Sequence, residues 1–330
     1  MHHTRRTVLA AGAALLAGRA LPASAQGGQA PRPFRAGTSM AEEHPAARFL
    51  RRFAELTEQR SGGRLRTNVH TGAALGADVQ MQSQLQAGTQ DVVTTGTATL
   101  AGQVKEMAIL DFPFLFETGE EFDRAVDGPL VSGLNAKLRD KGWIPLAYMH
   151  NGFRHTTNGQ RPIQRAEDFA GLKIRVIQSA MYTDMFRALG ANPVPMAVSE
   201  VYSALETGAV DAQENPLAQI ATLRFFEVQK YLSLTGHIYV PAVIVMSKAA
   251  YDRLSEADRQ AFVEAARLAG QNGRADNDEL EAAGVANLLG VGMQINADVD
   301  KTAFRTVLAS AYAKWHEQFG DLIDRIQAYQ

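Results

Sequence analysis

Apolar positions along this chain switch between two spacings, and the switching predicts short strands set between amphipathic helices. Residues 32–37 read as a strand. From 44 to 59 the pattern is helical: Phe49, Phe53 and Leu56 fall on one side and Pro45 suits the first turn. Ser61-Gly62-Gly63 ends that run, because glycine accepts the left-handed terminal conformation at low cost. Residues 64–70 are extended, 78–87 helical, and Asp91-Val92-Val93-Thr94-Thr95 reads as a buried strand ending at Gly96. The same logic predicts a helical stretch over 120–141 and a strand over 143–149. Further strands are expected at 172–177, 193–195 and 242–246, and helices at 180–189 and 199–207. The Gly208 turn leads into 209–213, and long helical runs cover 254–289 and 301–328. Ser255 with Asp258 has the form of an N-terminal cap.

Such alternation predicts an α/β architecture with helices on both faces of its sheets. A length of 330 residues fits two domains. With no repeat and no low-complexity linker, the chain is expected to cross between domains by strands, near 152–154 and 237–241. A groove between two α/β lobes is where a small ligand would sit.

Composition narrows the function. The net charge is −2, with no like-charged run, which argues against a nucleic-acid-binding surface. The absence of cysteine excludes disulfides, thiolate metal sites, a cysteine nucleophile and a lipidated N-terminal cysteine. The first 25 residues read as an export signal: Arg5-Arg6, a weakly apolar run over 10–18, and a small-residue cleavage site at Ala23-Ser24-Ala25. The arginine pair is of twin-arginine type. Cleavage after Ala25 removes three arginines and no acid, so the mature net charge becomes −5. Nothing beyond the signal is long and apolar enough for a membrane helix.

No phosphate loop, dinucleotide fingerprint, His-Glu-x-x-His or G-x-S-x-G element occurs, and no metal or cofactor is expected. Arg175, in the strand-like Gly171-Leu172-Lys173-Ile174-Arg175-Val176, carries a planar fork able to clamp a carboxylate through two parallel bonds. Periodicity alone favours a solvated partner of Glu167 or Asp168 on a sheet edge. Arg154 follows a strand at a proposed crossing and could add a second positive charge or line a surface turn. In Asp211-Ala212-Gln213-Glu214-Asn215-Pro216, Asn215 offers donors and an acceptor to a ligand or could cap a helix, and Glu214 can accept from hydroxyls. Glu42 and Glu43 follow the first strand, and Thr95 follows another. Phe112 and Phe114 could cover a ligand or belong to the core.

Four stretches together resemble the extracytoplasmic solute receptors of tripartite ATP-independent periplasmic (TRAP) transporters, dicarboxylate-receptor (DctP) type. They are residues 84–91 (QLQAGTQD), 171–176 (GLKIRV), 188–196 (ALGANPVPM) and 200–216 (EVYSALETGAVDAQENP). The resemblance implies a two-lobed periplasmic binding protein with mixed sheets flanked by helices, crossing strands and a long linking helix. Its first lobe would comprise 26–153 with 241–280, and its second 154–240 with 281–330. It further implies that Arg175 clamps a substrate carboxylate, supported by Arg154 and Asn215, with Glu214 in the pocket. A monomer delivering an organic acid to integral membrane subunits is expected, not an enzyme. The run around Pro195-Met196 resembles receptors for sugar acids such as sialate or hexuronates. For a polyhydroxylated acid, Glu42, Glu43, Thr95, Gln178 and Glu214 would be hydroxyl partners. A C4-dicarboxylate receptor, a secreted sugar-acid enzyme with Glu214 as base, and a sensory receptor are the rival readings.

Overall fold

The computed structural model describes residues 33–327, so the export signal lies outside the described residues. The strands are β1 (Phe34–Thr38), β2 (Thr67–His70), β3 (Val92–Gly96), β4 (Trp143–Asn158), β5 (Lys173–Val176), β6 (Asn192–Pro195), β7 (Ala212–Pro216), β8 (Tyr231–Ser233), β9 (Tyr239–Ser247) and β10 (Gln294–Asn296). They form one mixed sheet in the order β2-β1-β3-β9-β4-β7-β5-β6, with β8 added to β4 and β10 to β8.

β4 holds this sheet together. Expected to stop at Met149, it runs 16 residues, because its two ends serve different partners. Trp143 to Phe153 pair antiparallel with β9, whereas Arg154 to Asn158 pair with β7. The handover is marked by a register break between His150 and Phe153, where Gly152 has φ +94°. A side chain cannot easily adopt that angle, and a Cβ there would lie 2.4 Å from the Glu281 carboxyl carbon. Burial raises the Glu281 pKa to about 8, offset in part by the backbone amides of Ala218, Leu217 and Phe153.

The helices before β4 are α1 (Pro45–Arg60), α2 (Asp78–Gln86), α3 (Thr97–Leu100), α4 (Gly119–Asp127) and α5 (Pro129–Asp140). The stretch expected to be one helix over 120–141 is therefore two, broken where extended Gly128 precedes Pro129. His44 caps α1, its Nδ1 accepting from the Ala46 amide. Between β4 and β9 in the chain come α6 (Ala180–Ala188), α7 (Val201–Glu206) and α8 (Leu217–Thr222); after β9 come α9 (Lys248–Asp252) and the 35-residue α10 (Glu256–Gly290). The C-terminal part is α11 (Lys301–Val307), α12 (Ala309–Phe319) and α13 (Asp321–Gln327). Strands β8 and β10 escaped the sequence pattern because each is three residues long.

Helix α10 spans both halves, packing on α1 and β4 and then on α8. Small residues make that close approach possible: Cβ atoms at Gly270 and Gly284 would meet the Tyr148 carbonyl at 3.0 Å and Leu217 Cβ at 2.7 Å. Phe49, Phe53, Ile244, Met246 and Phe262 form a core on the α1 side, and Leu205, Ile220, Phe225 and Leu288 another near α8. The largest cluster, from Phe122 and Trp143 through Phe186 to Trp315, runs beneath both halves. Because the Leu217 Cβ is fixed to the backbone, Gly284→Ala forces α8 and α10 apart. It is expected to destabilise the fold by about 1–3 kcal/mol despite the helix propensity gained. Urea unfolding measures this, and an unchanged midpoint would contradict the packing argument.

Candidate ligand site between the sheet halves

Where the two halves meet, a partly open cavity of about 620 Å³ is lined from one side by Thr38, Met40, Asp78, Thr95 and Thr99. Arg154, Arg175, Gln178, Met196 and Asn215 line it from the other. A cleft with convergent polar groups on both walls is where a small ligand sits.

Arg175 lies on β5, in register with Val194 of β6, and is 3% exposed. Its Nε and Nη2 both donate to the Met196 carbonyl oxygen, at 3.0 and 2.7 Å. Among the described residues no carboxylate lies within salt-bridge distance of it; Asp168 instead accepts from the Gln164 and Arg165 amides. Burial without a paired anion pulls its pKa down to about 10, the nearby Glu214 only partly opposing. A buried guanidinium held by a single carbonyl retains unused capacity for an anion.

Arg154 is treated differently. It is 1% exposed, and its Nε and Nη2 pair with both oxygens of the Glu214 carboxylate, which is itself fully buried. Nη2 also reaches Asn215 Oδ1 at 2.9 Å, and the guanidinium lies 5.4 Å from the Tyr182 ring centre. Burial opposes the charge of Arg154, but Glu214 more than compensates and holds its pKa above the ordinary value. The Glu214 carboxyl is held below its ordinary value by Arg154 and His237 against its own burial. His237 Nε2 lies 3.1 Å from Glu214, and its Nδ1 lies 2.8 Å from Thr235 Oγ1. This ion pair fixes the β4–β7 junction and largely cancels its own charge.

The opposite wall is acidic. Asp78 opens α2 and accepts from Ser39 Oγ at 2.7 Å and Thr95 Oγ1 at 2.9 Å. Gln82 Nε2 then donates to Thr95 at 3.2 Å and Thr99 at 2.8 Å. Burial raises the Asp78 pKa, while Ser39, Thr95 and the field of Arg175 oppose the rise. Two further groups on the cavity wall, Thr94 Oγ1 and Asn151 Oδ1, are buried and have no hydrogen-bond partner. Gln219 Nε2 meets Met40 Sδ at 3.1 Å.

Of the residues expected from sequence, Arg175, Arg154, Asn215, Thr95, Gln178 and Met196 converge on this cavity, and three do not. Glu214 is a correction: it sits behind the wall as the counter-ion of Arg154. Glu42 is exposed, pairing with Arg51 and accepting from Thr71 Oγ1 at 2.9 Å. Glu43 is exposed beside it, because the turn before α1 points outward. Asn215 caps no helix. It lies in β7 opposite His155, its amide bonded to Gln213 and Arg154. Phe112 packs on Tyr312 and Trp315 in the core, and Phe114 packs on Phe304 and under Arg305. Asp78 was missed; an acid in the first turn of a helix reads as a partner of the helix dipole, and only the cavity distinguishes it.

Two α/β halves joined through a shared strand, with a cationic and an acidic wall facing each other, define a solute-binding receptor. The family model of the bacterial extracellular solute-binding proteins, family 7 (DctP), matches residues 36–318, and the chain belongs to this family. The 2,3-diketo-L-gulonate-binding periplasmic protein YiaO of Escherichia coli K12 is 36% identical, over 87% of this chain and 88% of its own. A solved TRAP periplasmic solute-binding protein of Polaromonas sp. JS666 bound to D-erythronate is 40% identical. It superposes with a TM-score of 0.88, covering 89% of this chain and 98% of its own. The sugar acid binding protein DctPAm of Advenella mimigardefordensis, in complex with galactonate, is 32% identical with a TM-score of 0.88, covering 91% and 97%. A receptor of Sulfurospirillum deleyianum with bound succinate is 26% identical with a TM-score of 0.86, covering 90% and 99%. The mixed α/β fold and the TRAP receptor class expected from the sequence hold. Receptors of this family work in the periplasm with membrane subunits, and no helix among the described residues is long and apolar enough to cross a membrane.

Glu214→Gln would leave the Arg154 guanidinium buried without its anion. Removing one partner of such a pair costs about 3–5 kcal/mol, read as a lowered urea midpoint. Replacing both partners by apolar residues of similar volume is expected to cost much less; equal losses in the single and double variants would refute the counter-ion role.

Proposed function

We propose that this receptor captures a monocarboxylate sugar acid, its carboxylate on Arg175 and its hydroxyls toward Asp78. The observation that carries the reading is the division of labour between the two arginines. Arg154 is saturated by Glu214, so Arg175 is the guanidinium with capacity left for a ligand. Asn215 and Arg154 border the same end of the cavity, and Thr95, Gln178 and Met196 complete the walls.

Asp78 supports a hydroxylated chain over a second acid group. An ionised carboxylate about 4 Å from a ligand carboxylate would repel it by about 4 kcal/mol at the effective dielectric of such a site. A ligand hydroxyl would instead donate to it, and no lysine or arginine lies among Thr38, Met40, Asp78, Thr95 and Thr99 on that wall. The D-erythronate and galactonate of the two solved relatives have this chemistry; succinate in the third keeps a C4-dicarboxylate as the competing ligand.

In this reading the two lobes, residues 26–153 with 241–280 and 154–240 with 281–330, close on the ligand about β4. Closure removes water and strengthens the charge-assisted bonds. The chain acts as a monomer and returns its ligand unaltered to membrane subunits rather than transforming it. The leader ending at Ala25 directs it to the periplasm.

Arg175→Ala is expected to weaken galactonate or erythronate binding at least about 30-fold in calorimetry while leaving the unfolding midpoint near that of the parent. Unchanged affinity would sink the assignment. Asp78→Ala should weaken hydroxylated acids about tenfold or more and carboxylates without hydroxyls far less. Tighter succinate binding than galactonate in the parent protein would favour the dicarboxylate reading.

A further inference from the structure

A second cavity, of about 500 Å³, adjoins the first across Gln178. On one side it is bounded by the start of α6, on another by Gly102 and Lys105 from the segment after α3, and beneath by Trp315 and Phe319 of α12. Three features of its wall are donors without acceptors.

The first is the end of α6. A helix leaves its opening amides unpaired unless something caps them. Here the N–H groups of Ala180, Met181 and Tyr182 have no acceptor among the described residues, although Met181 and Tyr182 are buried. The second is Ser179. It occupies the N-cap position, yet its hydroxyl makes no capping bond; the residue is 8% exposed and its Oγ is buried with no partner. A buried hydroxyl left in this state costs free energy that an acceptor in the cavity would recover. The third is Lys105, exposed at the rim, with no carboxylate among the described residues within salt-bridge distance. The one acid on the wall, Asp184, is already held by Lys314 at 2.6 Å and Arg187 at 3.6 Å.

We infer that this annex is a second anion site, distinct from the Arg175 pocket, that takes a small oxyanion group. Helix amides, the positive end of the helix dipole, a hydroxyl and an ammonium all favour the same ligand chemistry. The oxyanion is a free inorganic ion or the far acid group of a longer ligand whose near end lies in the main cavity. Lys105 follows β3 and α6 follows β5, so an anion here bridges the two sheet halves and favours their approach. Its binding and that of the sugar acid then strengthen each other reciprocally.

The probe is inorganic phosphate, compared with chloride at matched ionic strength so that general salt effects cancel. Calorimetry and thermal unfolding are run on the full mature chain and on Lys105→Gln, Ser179→Ala and Arg175→Ala. Phosphate is expected to bind the parent and raise its Tm. Its dissociation constant should rise about tenfold in Lys105→Gln, the loss of one charge-assisted contact. Ser179→Ala should match or exceed the parent in stability without phosphate and lose much of the gain with it. Arg175→Ala should keep phosphate binding while losing galactonate, so failure of the sugar-acid reading leaves this result untouched. Galactarate against galactonate separates the two sources. Tighter galactarate binding that phosphate competes away, and that Lys105→Gln abolishes, identifies a ligand's own second acid group; phosphate binding without that preference identifies a free ion. An equal phosphate response in the parent, Lys105→Gln and Ser179→Ala, with no galactarate preference, overturns the proposal.

Discussion

Two buried guanidiniums, on the strands either side of β7 and only one of them given a carboxylate, set the character of this receptor. Isolated charges are expensive to bury, so the fold must either neutralise them or leave them for a ligand. Arg154 is neutralised: Glu214 lies behind it, bonded in turn to His237, and the group locks β4 to β7. Arg175 receives one main-chain carbonyl and faces the cavity. The same residue type thus performs two tasks, and the difference lies in what stands behind each side chain. The acidic far wall, ordered around Asp78 by Ser39, Thr95 and Gln82, gives the cavity an opposite polarity at its other end.

That polarity is useful only if the halves can be held in register, and β4 and α10 provide the frame. One strand pairs with β9 before the break and with β7 after it, so each half is built partly on the same backbone. Gly152 permits the break, and the Glu281 carboxyl from α10 fills the space that its missing side chain leaves. The long helix follows the strand from one half to the other, its small residues keeping the two in close contact.

Much of this architecture was legible in the chain. Helix α1 falls where periodicity puts it because Phe49, Leu50 and Phe53 bury one clear apolar face, and Ser255 caps α10 as its spacing with Asp258 requires. Errors came where local pattern and global pairing part company. β4 outran its expected end because its later residues, polar ones such as Thr156 and Asn158, are buried by pairing with β7 and β8 rather than by an apolar face. A hydrophobicity pattern cannot register a strand whose burial is supplied by polar neighbours.

The sequence by itself determined most of the strands and longer helices, the receptor family, and the candidacy of Arg175, Arg154 and Asn215, since these follow from periodicity and from ordered motifs. Tertiary structure alone decided the charge arrangement. It turned Glu214 into a counter-ion, sent Glu42 and Glu43 to the surface, and brought Asp78 to the cavity from a position that read as an ordinary helix start. Pairing and burial depend on residues far apart in the chain: Arg154 and Glu214 are 60 positions apart. An electrostatic role exists only once the fold has chosen which distant groups meet and how much water is left between them.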